Sequence, residues 1–232
     1  MKGPTLWALF FRLFVSSFVA FTTAALTVLL AGCSSAFQAT GDTIFYAVDP
    51  DRRVRTAKLN PHFEYLRVVV EGRSALLARG AIDRRNDREL QVFFSATGEV
   101  VKISSGRIEE YSGEKRHVLV EPLQEGYPAW DTGAPIEYRV TVDDRQGYQF
   151  SAQQRRRLRP LATPPKQTNL KDIDPSSLQW FEETSVDLSV VQKRSLFGIR
   201  LEPGGPQIVY SEQCIAVDLC LSLQRWRASG SY

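Results

Sequence analysis

Alternation of apolar and polar residues dominates this chain. Ile136, Tyr138, Val140 and Val142 interleave with Glu137, Arg139 and Thr141. Successive side chains of a strand point to opposite faces, so this spacing predicts a half-buried β-strand. Tyr148, Phe150 and Ala152 alternate with Gln149, Ser151 and Gln153 in the same way. Asp143-Asp144-Arg145-Gln146-Gly147 lies between them and is built of residues that favour turns, so the pair is predicted to be a hairpin. Shorter strand candidates come earlier, at 43–48, 63–70, 75–82, 90–95, 100–104 and 116–120. Glu71-Gly72, Asn86-Asp87, Thr97-Gly98 and Ser112-Gly113 separate them, which is the punctuation of an antiparallel meander. Residues 63–70 are apolar on both faces, as expected of a central strand covered on both sides. One short helix is predicted near 174–181, with Asp174 as its cap and Pro175 as its first residue. Pro160, Pro164 and Pro165 interrupt any ladder, so 159–169 reads as a linker dividing a first sheet from a C-terminal part at 178–223. The expected fold class is mostly β: an antiparallel meander forming a large curved or barrel-like sheet, with little helix outside the leader.

The leader has a different pattern. Lys2 and Arg12 give a positive start, an apolar run begins at Leu13, and the segment ends in Leu30-Ala31-Gly32-Cys33. That is the build of a bacterial secretion signal, with residues 1–32 removed. Its end resembles the lipobox of bacterial lipoproteins. The resemblance implies that Cys33 takes a diacylglyceryl group, that the chain is cut before it, and that the new amine is acylated, typically with palmitate. Each buried methylene contributes about 0.8 kcal/mol, so three acyl chains hold a protein on a membrane where one is marginal. The competing reading is an uncleaved membrane-spanning anchor, against which Ser16, Ser17, Thr22, Thr23 and Thr27 interrupt the run. Ser34 and Ser35 follow the cysteine where inner-membrane lipoproteins tend to carry aspartate, so an outer-membrane protein facing the periplasm is expected. Residues 33–41 read as a lipidated tether and 42–232 as a single periplasmic domain.

Composition narrows the partners. The chain has 29 Lys and Arg against 26 Asp and Glu, and Lys2 and Arg12 fall in the leader. The remainder is nearly neutral, and no nucleic-acid partner is expected. Cys214 and Cys220 remain after Cys33 is spent on lipid. In an oxidising compartment they are expected to pair, the alternative being two buried free thiols. The only histidines are His62 and His117, with no ligand-spaced cluster around them, so neither a metal nor a cofactor is expected.

Several motifs carry a family resemblance. They are Tyr65-Leu66-Arg67-Val68, Ala75-Leu76-Leu77-Ala78-Arg79-Gly80, Gln91-Val92-Phe93-Phe94-Ser95, Thr97-Gly98-Glu99-Val100-Val101 and Gly106-Arg107-Ile108. In this order they resemble the YjbF/GfcB-like family, the group 4 capsule polysaccharide lipoproteins. The resemblance covers about a quarter of the chain. It implies a mostly antiparallel β fold wrapping toward a barrel-like core. It also implies a role in assembling or exporting a capsule or extracellular polysaccharide at the outer membrane, with no catalytic residues established. The C-terminal part departs from the family pattern, with Gln207-Ile208-Val209-Tyr210 and the Cys214/Cys220 pair in its place.

Catalytic chemistry finds little support. There is no Gly-x-Ser-x-Gly elbow, no His-Glu-x-x-His helix and no phosphate loop. Carboxylate doublets occur at Glu109-Glu110, Asp143-Asp144 and Glu182-Glu183, but neighbours on a strand face opposite ways and a doublet alone cannot straddle a sugar. Two features suit polymer binding. Arg155, Arg156 and Arg157 form a basic run fit for an anionic polysaccharide or a lipid headgroup, or else a charge-protected sheet edge. Tyr127 and Trp130 occupy a loop where exposed rings stack on sugars, or else they belong to the core. The expected function is non-catalytic: an outer-membrane lipoprotein that binds and positions polysaccharide for assembly or export, meeting the membrane through its lipid and the export machinery through its body. The alternatives are a polysaccharide lyase or hydrolase and a structural envelope-assembly lipoprotein.

Overall fold

A computed structural model describes residues 51–123, 126–130, 133–187 and 193–226. Cys33, the tether and the strand candidate at 43–48 lie outside these residues.

The described residues form a short helix α1 (Arg52–Thr56) and an antiparallel meander. Its strands are β1 (Tyr65–Val70), β2 (Arg73–Arg85), β3 (Arg88–Ser95), β4 (Val100–Ser104), β5 (Arg107–Ser112) and β6 (His117–Pro122), then β7 (Ile136–Asp144), β8 (Gln149–Leu161), β9 (Gln179–Ser185), β10 (Ser195–Glu202), β11 (Gly205–Ala216) and β12 (Leu219–Trp226). Each strand pairs with its sequence neighbours, and β12 returns to pair with β1, with Leu66 opposite Arg225 and Val68 opposite Leu223. The sheet therefore closes on itself, which removes exposed edges. Register shifts at Arg79/Ala81, Lys102/Ile103, Val142/Asp144, Gly198/Ile199 and Cys214/Ala216 mark bulges that bend the strands toward closure.

The interior is filled. Leu66, Val68, Phe93, Val101, Val118, Val140, Val142, Leu221 and Leu223 come from strands around the ring and pack into one cluster, so their shared face points inward. A second cluster of Trp130, Leu158, Phe181, Phe197 and Ile199 continues the core beneath β8, β9 and β10. Both the fold class and the β7–β8 hairpin match the sequence expectation, with a register of Val140 opposite Gln154 and Ile136 opposite Leu158.

The strand expected at 63–70 begins at Tyr65, with Phe63 exposed before it; Leu66, Arg67 and Val68 are covered on both sides, and the outer cover is polar as well as apolar. Arg67 points away from the core yet is buried, its guanidinium making bidentate contact with Asp51 at 2.8 Å and donating to the Asn169 carbonyl at 3.0 Å. The proline-bearing stretch does not divide the sheet. Strand β8 runs on to Leu161, and β9 resumes in the same ring. The residues between form a strap across the outer face. Asn169 donates to the Tyr210 hydroxyl and to Ser222, and Lys171 exchanges backbone bonds with the Gln224 amide at 3.0 and 2.8 Å. Leu161, Leu170 and Ile173 close over Trp180 and Tyr210. The helix expected at 174–181 is a single 3-10 turn, Pro175–Ser177, capped by Asp174 as anticipated. Beyond it the chain extends because Trp180 and Phe181 must face opposite sides of β9.

Cys214 and Cys220 form a disulfide, 3.9 Å apart at Cα, directly opposite each other on β11 and β12. At one end of the ring Arg116 joins two hairpin tips, meeting Asp144 at 2.6 Å and Asp218 at 2.7 Å.

Candidate functional site

Strand period separates the arginine run. Gln154, Arg156 and Leu158 face inward and are buried, while Arg155, Arg157 and Arg159 face outward. The outward ones meet acids on neighbouring strands or beside them: Arg155 with Asp187 at 3.1 Å, Arg157 with Glu137 at 2.5 Å, Arg159 with Glu182 at 2.9 Å. The expectation of a charge-protected edge is corrected here, because β8 pairs on both sides with β7 and β9. So is the expectation of one continuous patch, because Arg156 lies within the ring.

Glu183 is the hub of the interior. It lies on β9 across from Leu158, while its neighbour Glu182 faces outward to Arg159 and Arg194. Arg156 donates to Glu183 Oε1 at 3.1 Å, Arg107 Nε donates to Oε2 at 3.2 Å, and the Tyr138 hydroxyl donates to the same Oε2. Burial pushes the Glu183 carboxyl up, but the two guanidiniums outweigh it and hold it below its ordinary value. Burial and the adjacent Glu183 carboxylate raise the Tyr138 hydroxyl, and burial raises Tyr127 strongly. Two cations thus share one carboxylate. Arg107 Nη2 and Arg156 Nε have no hydrogen-bond partner among the described residues.

Aromatic rings complete the surroundings. The Arg107 guanidinium lies 4.0 Å from the Trp130 ring centroid and 4.8 Å from that of Tyr127, so cation–π attraction replaces part of its lost hydration. Trp130 donates its indole N–H to the Ser105 carbonyl at 3.0 Å and packs on Phe197 and Phe181 at 4.8 and 5.6 Å. Trp130 is only 4% exposed, so it offers no free face to a sugar; this corrects the expectation of a stacking platform there. Tyr127 is half-buried, donates to the Val120 carbonyl at 3.4 Å and meets Tyr138 edge-on at 5.9 Å.

Two recesses flank this plug. One of about 550 Å³ is lined in part by Tyr127, Pro128, Glu137, Tyr138, Arg139 and Arg155. The other, of about 460 Å³, is lined in part by Gln91, Ser105, Gly106, Ile208 and Arg225. There Arg225 is engaged by the Ile208 carbonyl at 3.2 Å and by Glu64 at 3.4 Å. The first recess brings together predicted Tyr127 and Arg155. It adds Tyr138, Arg139 and the Arg107–Glu183 pair behind them, which sequence reasoning missed. The signal for Glu183 was present in the Glu182-Glu183 doublet on a strand. Arg107 carried no local signal beyond its motif, since its carboxylate partner comes from 76 residues away.

Among the described residues no group of three or more His, Cys, Asp or Glu is placed to hold a metal. His117 Nε2 lies 3.5 Å from Glu110, and Glu110 is itself engaged by Arg85 and Lys102. The site has the means to bind and orient: tyrosine rings and arginines at a recess, with buried arginines and carboxylates behind them.

A solved structure of the hypothetical lipoprotein YmcC from Escherichia coli K12 resembles this chain. The likeness covers 82% of this chain and 97% of that one, with a TM-score of 0.51 and 15% sequence identity. At this identity the likeness shows the fold alone. No family model and no curated protein matches the chain.

Proposed function

We propose that this protein is a lipid-anchored envelope protein that binds and positions an extracellular polysaccharide during its assembly or export, without transforming it chemically. The observation that carries the reading is the Leu30-Ala31-Gly32-Cys33 sequence at the end of an apolar leader, ahead of a closed β-ring. The fold neighbour is itself described as a lipoprotein, and the motifs between Tyr65 and Ile108 resemble those of capsule polysaccharide lipoproteins. An anchor on Cys33 keeps the ring at a membrane surface. There a growing polymer and its exporter are met at high effective concentration. Ser34 and Ser35 favour the outer membrane and a periplasmic orientation.

The interior supports binding over catalysis. Glu183 is held ionised by two guanidiniums, a poor general acid, and Glu182 is turned outward by strand period. Deleting the gene in its native host tests the reading. Surface polysaccharide should fall in amount or change in length distribution; unchanged polysaccharide contradicts the proposal.

A further inference from the structure

In an antiparallel meander the turns after odd-numbered strands all fall at one end of the ring. Among the described residues these are the β1–β2, β3–β4, β5–β6, β7–β8 and β11–β12 turns. Three of them are clamped into one unit. Arg116, just before β6, meets Asp144 at the end of β7 and Asp218 in the β11–β12 turn, at 2.6 and 2.7 Å. This unit holds large apolar side chains in water: Tyr148 is 85% exposed, Phe150 67% and Val217 54%. None of the three belongs to the core clusters, so packing of the fold does not account for them. Tyr148 also holds φ at +53°, a left-handed conformation that bulky residues seldom adopt. The Gly147 N–H donates to Asp144 Oδ1 at 3.1 Å, which ties the same turn to the clamp.

The geometry points to this end of the ring as a membrane-contact surface, with the Tyr148 and Phe150 rings and Val217 seated in the interface of the bilayer that holds the anchor. This rests on the lipid-anchor reading above and adds the orientation of the body. Aromatic rings at such a boundary bury their apolar faces while a phenol hydroxyl stays wet. Apolar side chains are exposed at the opposite end too, Phe63, Ile82 and Leu201 among them, so the tether decides between the ends. Eighteen residues separate Cys33 from Asp51, the first described residue. Asp51 bonds to Arg67 and Ser74, and Ser74 pairs with Val69, one step from the β1–β2 turn. At about 3.3 Å per residue, that turn lies about 7 Å from Ser74, whereas the far end of β2 lies about 35 Å away. The random-coil span of a chain of eighteen residues is about 23 Å. The clamped end therefore meets the bilayer on a relaxed tether, and the opposite end only on a stretched one. Charges at the clamped end are mixed, Lys115 and Arg145 beside Glu114 and Asp143, so the contact is apolar and needs no anionic lipid.

The test is depth-dependent quenching on the full mature chain, purified from membranes and reconstituted on phosphatidylcholine vesicles that carry a spin-labelled lipid. With Cys33 acylated and Cys214 bonded to Cys220, an introduced cysteine is the thiol that takes a fluorophore. One variant places it in the β7–β8 turn, Arg145→Cys, and a second at the opposite end, Leu201→Cys. Quenching should be about threefold or more stronger at position 145 than at position 201. Adding Tyr148→Ser and Phe150→Ser changes exposed side chains and should leave the urea midpoint and the vesicle association unchanged. It should cut the quenching at position 145 by about threefold or more. Equal quenching at the two positions, none at either, or undiminished quenching after both serine changes overturns the contact surface and leaves the anchor reading standing. A wild-type chain that does not float with the vesicles removes the anchor reading and the surface with it.

Discussion

Glu183 shows how a single residue sets the balance of the interior. Its folded carboxyl lies below the ordinary value of 4.5 because Arg156 and Arg107 outweigh the cost of burying it. A depressed acid contributes stability that is complete above its unfolded value and is lost as pH falls through the folded one. Urea midpoints should therefore decline as pH drops below about 4.5. In Glu183→Gln that decline should be shallower, on a protein already about 3–5 kcal/mol less stable at pH 7, since two buried guanidiniums then lose their acid. Glu109 is shifted the other way, because burial raises its carboxyl more than Arg88 lowers it. A raised acid costs stability as pH climbs through its range. Glu109→Gln should thus be no less stable than wild type at pH 7 in the same urea series. Gly106 is a backbone case. It holds φ at +77°, and a Cβ there would run into the Ile208 side chain. Gly106→Ala should cost roughly 1–3 kcal/mol by the same measurement.

Among the elements, β7 was legible because Val140 and Val142 face the core and Arg139 faces water, which writes the two-residue period into the chain. Strand β8 forms where it was expected, but Tyr148 and Phe150, whose alternation marked it, are exposed, and the face it turns inward is Gln154, Arg156 and Leu158. Strand β9 was not legible. Both its faces are buried, Phe181 and Glu183 inside the ring and Trp180 and Glu182 beneath the strap and beside outward arginines, so no alternation survives. Asp174-Pro175 before it then reads as a helix start, although only one turn forms. The carbohydrate-facing role given to Trp130 failed for a related reason. A loop tryptophan looks exposed in sequence, and only the ring closure brings Phe181, Phe197 and Arg107 around it. Trp130→Ala should cost about 3–5 kcal/mol in denaturant unfolding, as expected of a large core ring lost to a cavity. The Cys214–Cys220 bond closes a small loop within one hairpin. Replacing both cysteines by serine should lower stability by only about 2 kcal/mol, with the far-ultraviolet spectrum unchanged.

At the scale of the whole molecule, the meander was visible in the spacing of strands and turns and a curved or barrel-like sheet was expected, but the pairing that closes it was not legible. Closure depends on β1 meeting β12, a pairing between Leu66 and Arg225 that no local pattern announces. It is also what creates an interior able to hold Arg107, Arg156 and Glu183 out of water. The same ring is the body that the proposed function places at a membrane. The most direct measurement of that claim is the surface polysaccharide of a strain lacking the gene, complemented either with the wild-type chain or with Cys33→Ala at matched protein levels. The wild-type chain should restore the amount and length of the polymer and the Cys33→Ala chain should not. Polysaccharide that is indistinguishable with no gene, with the variant and with the wild type would contradict the account.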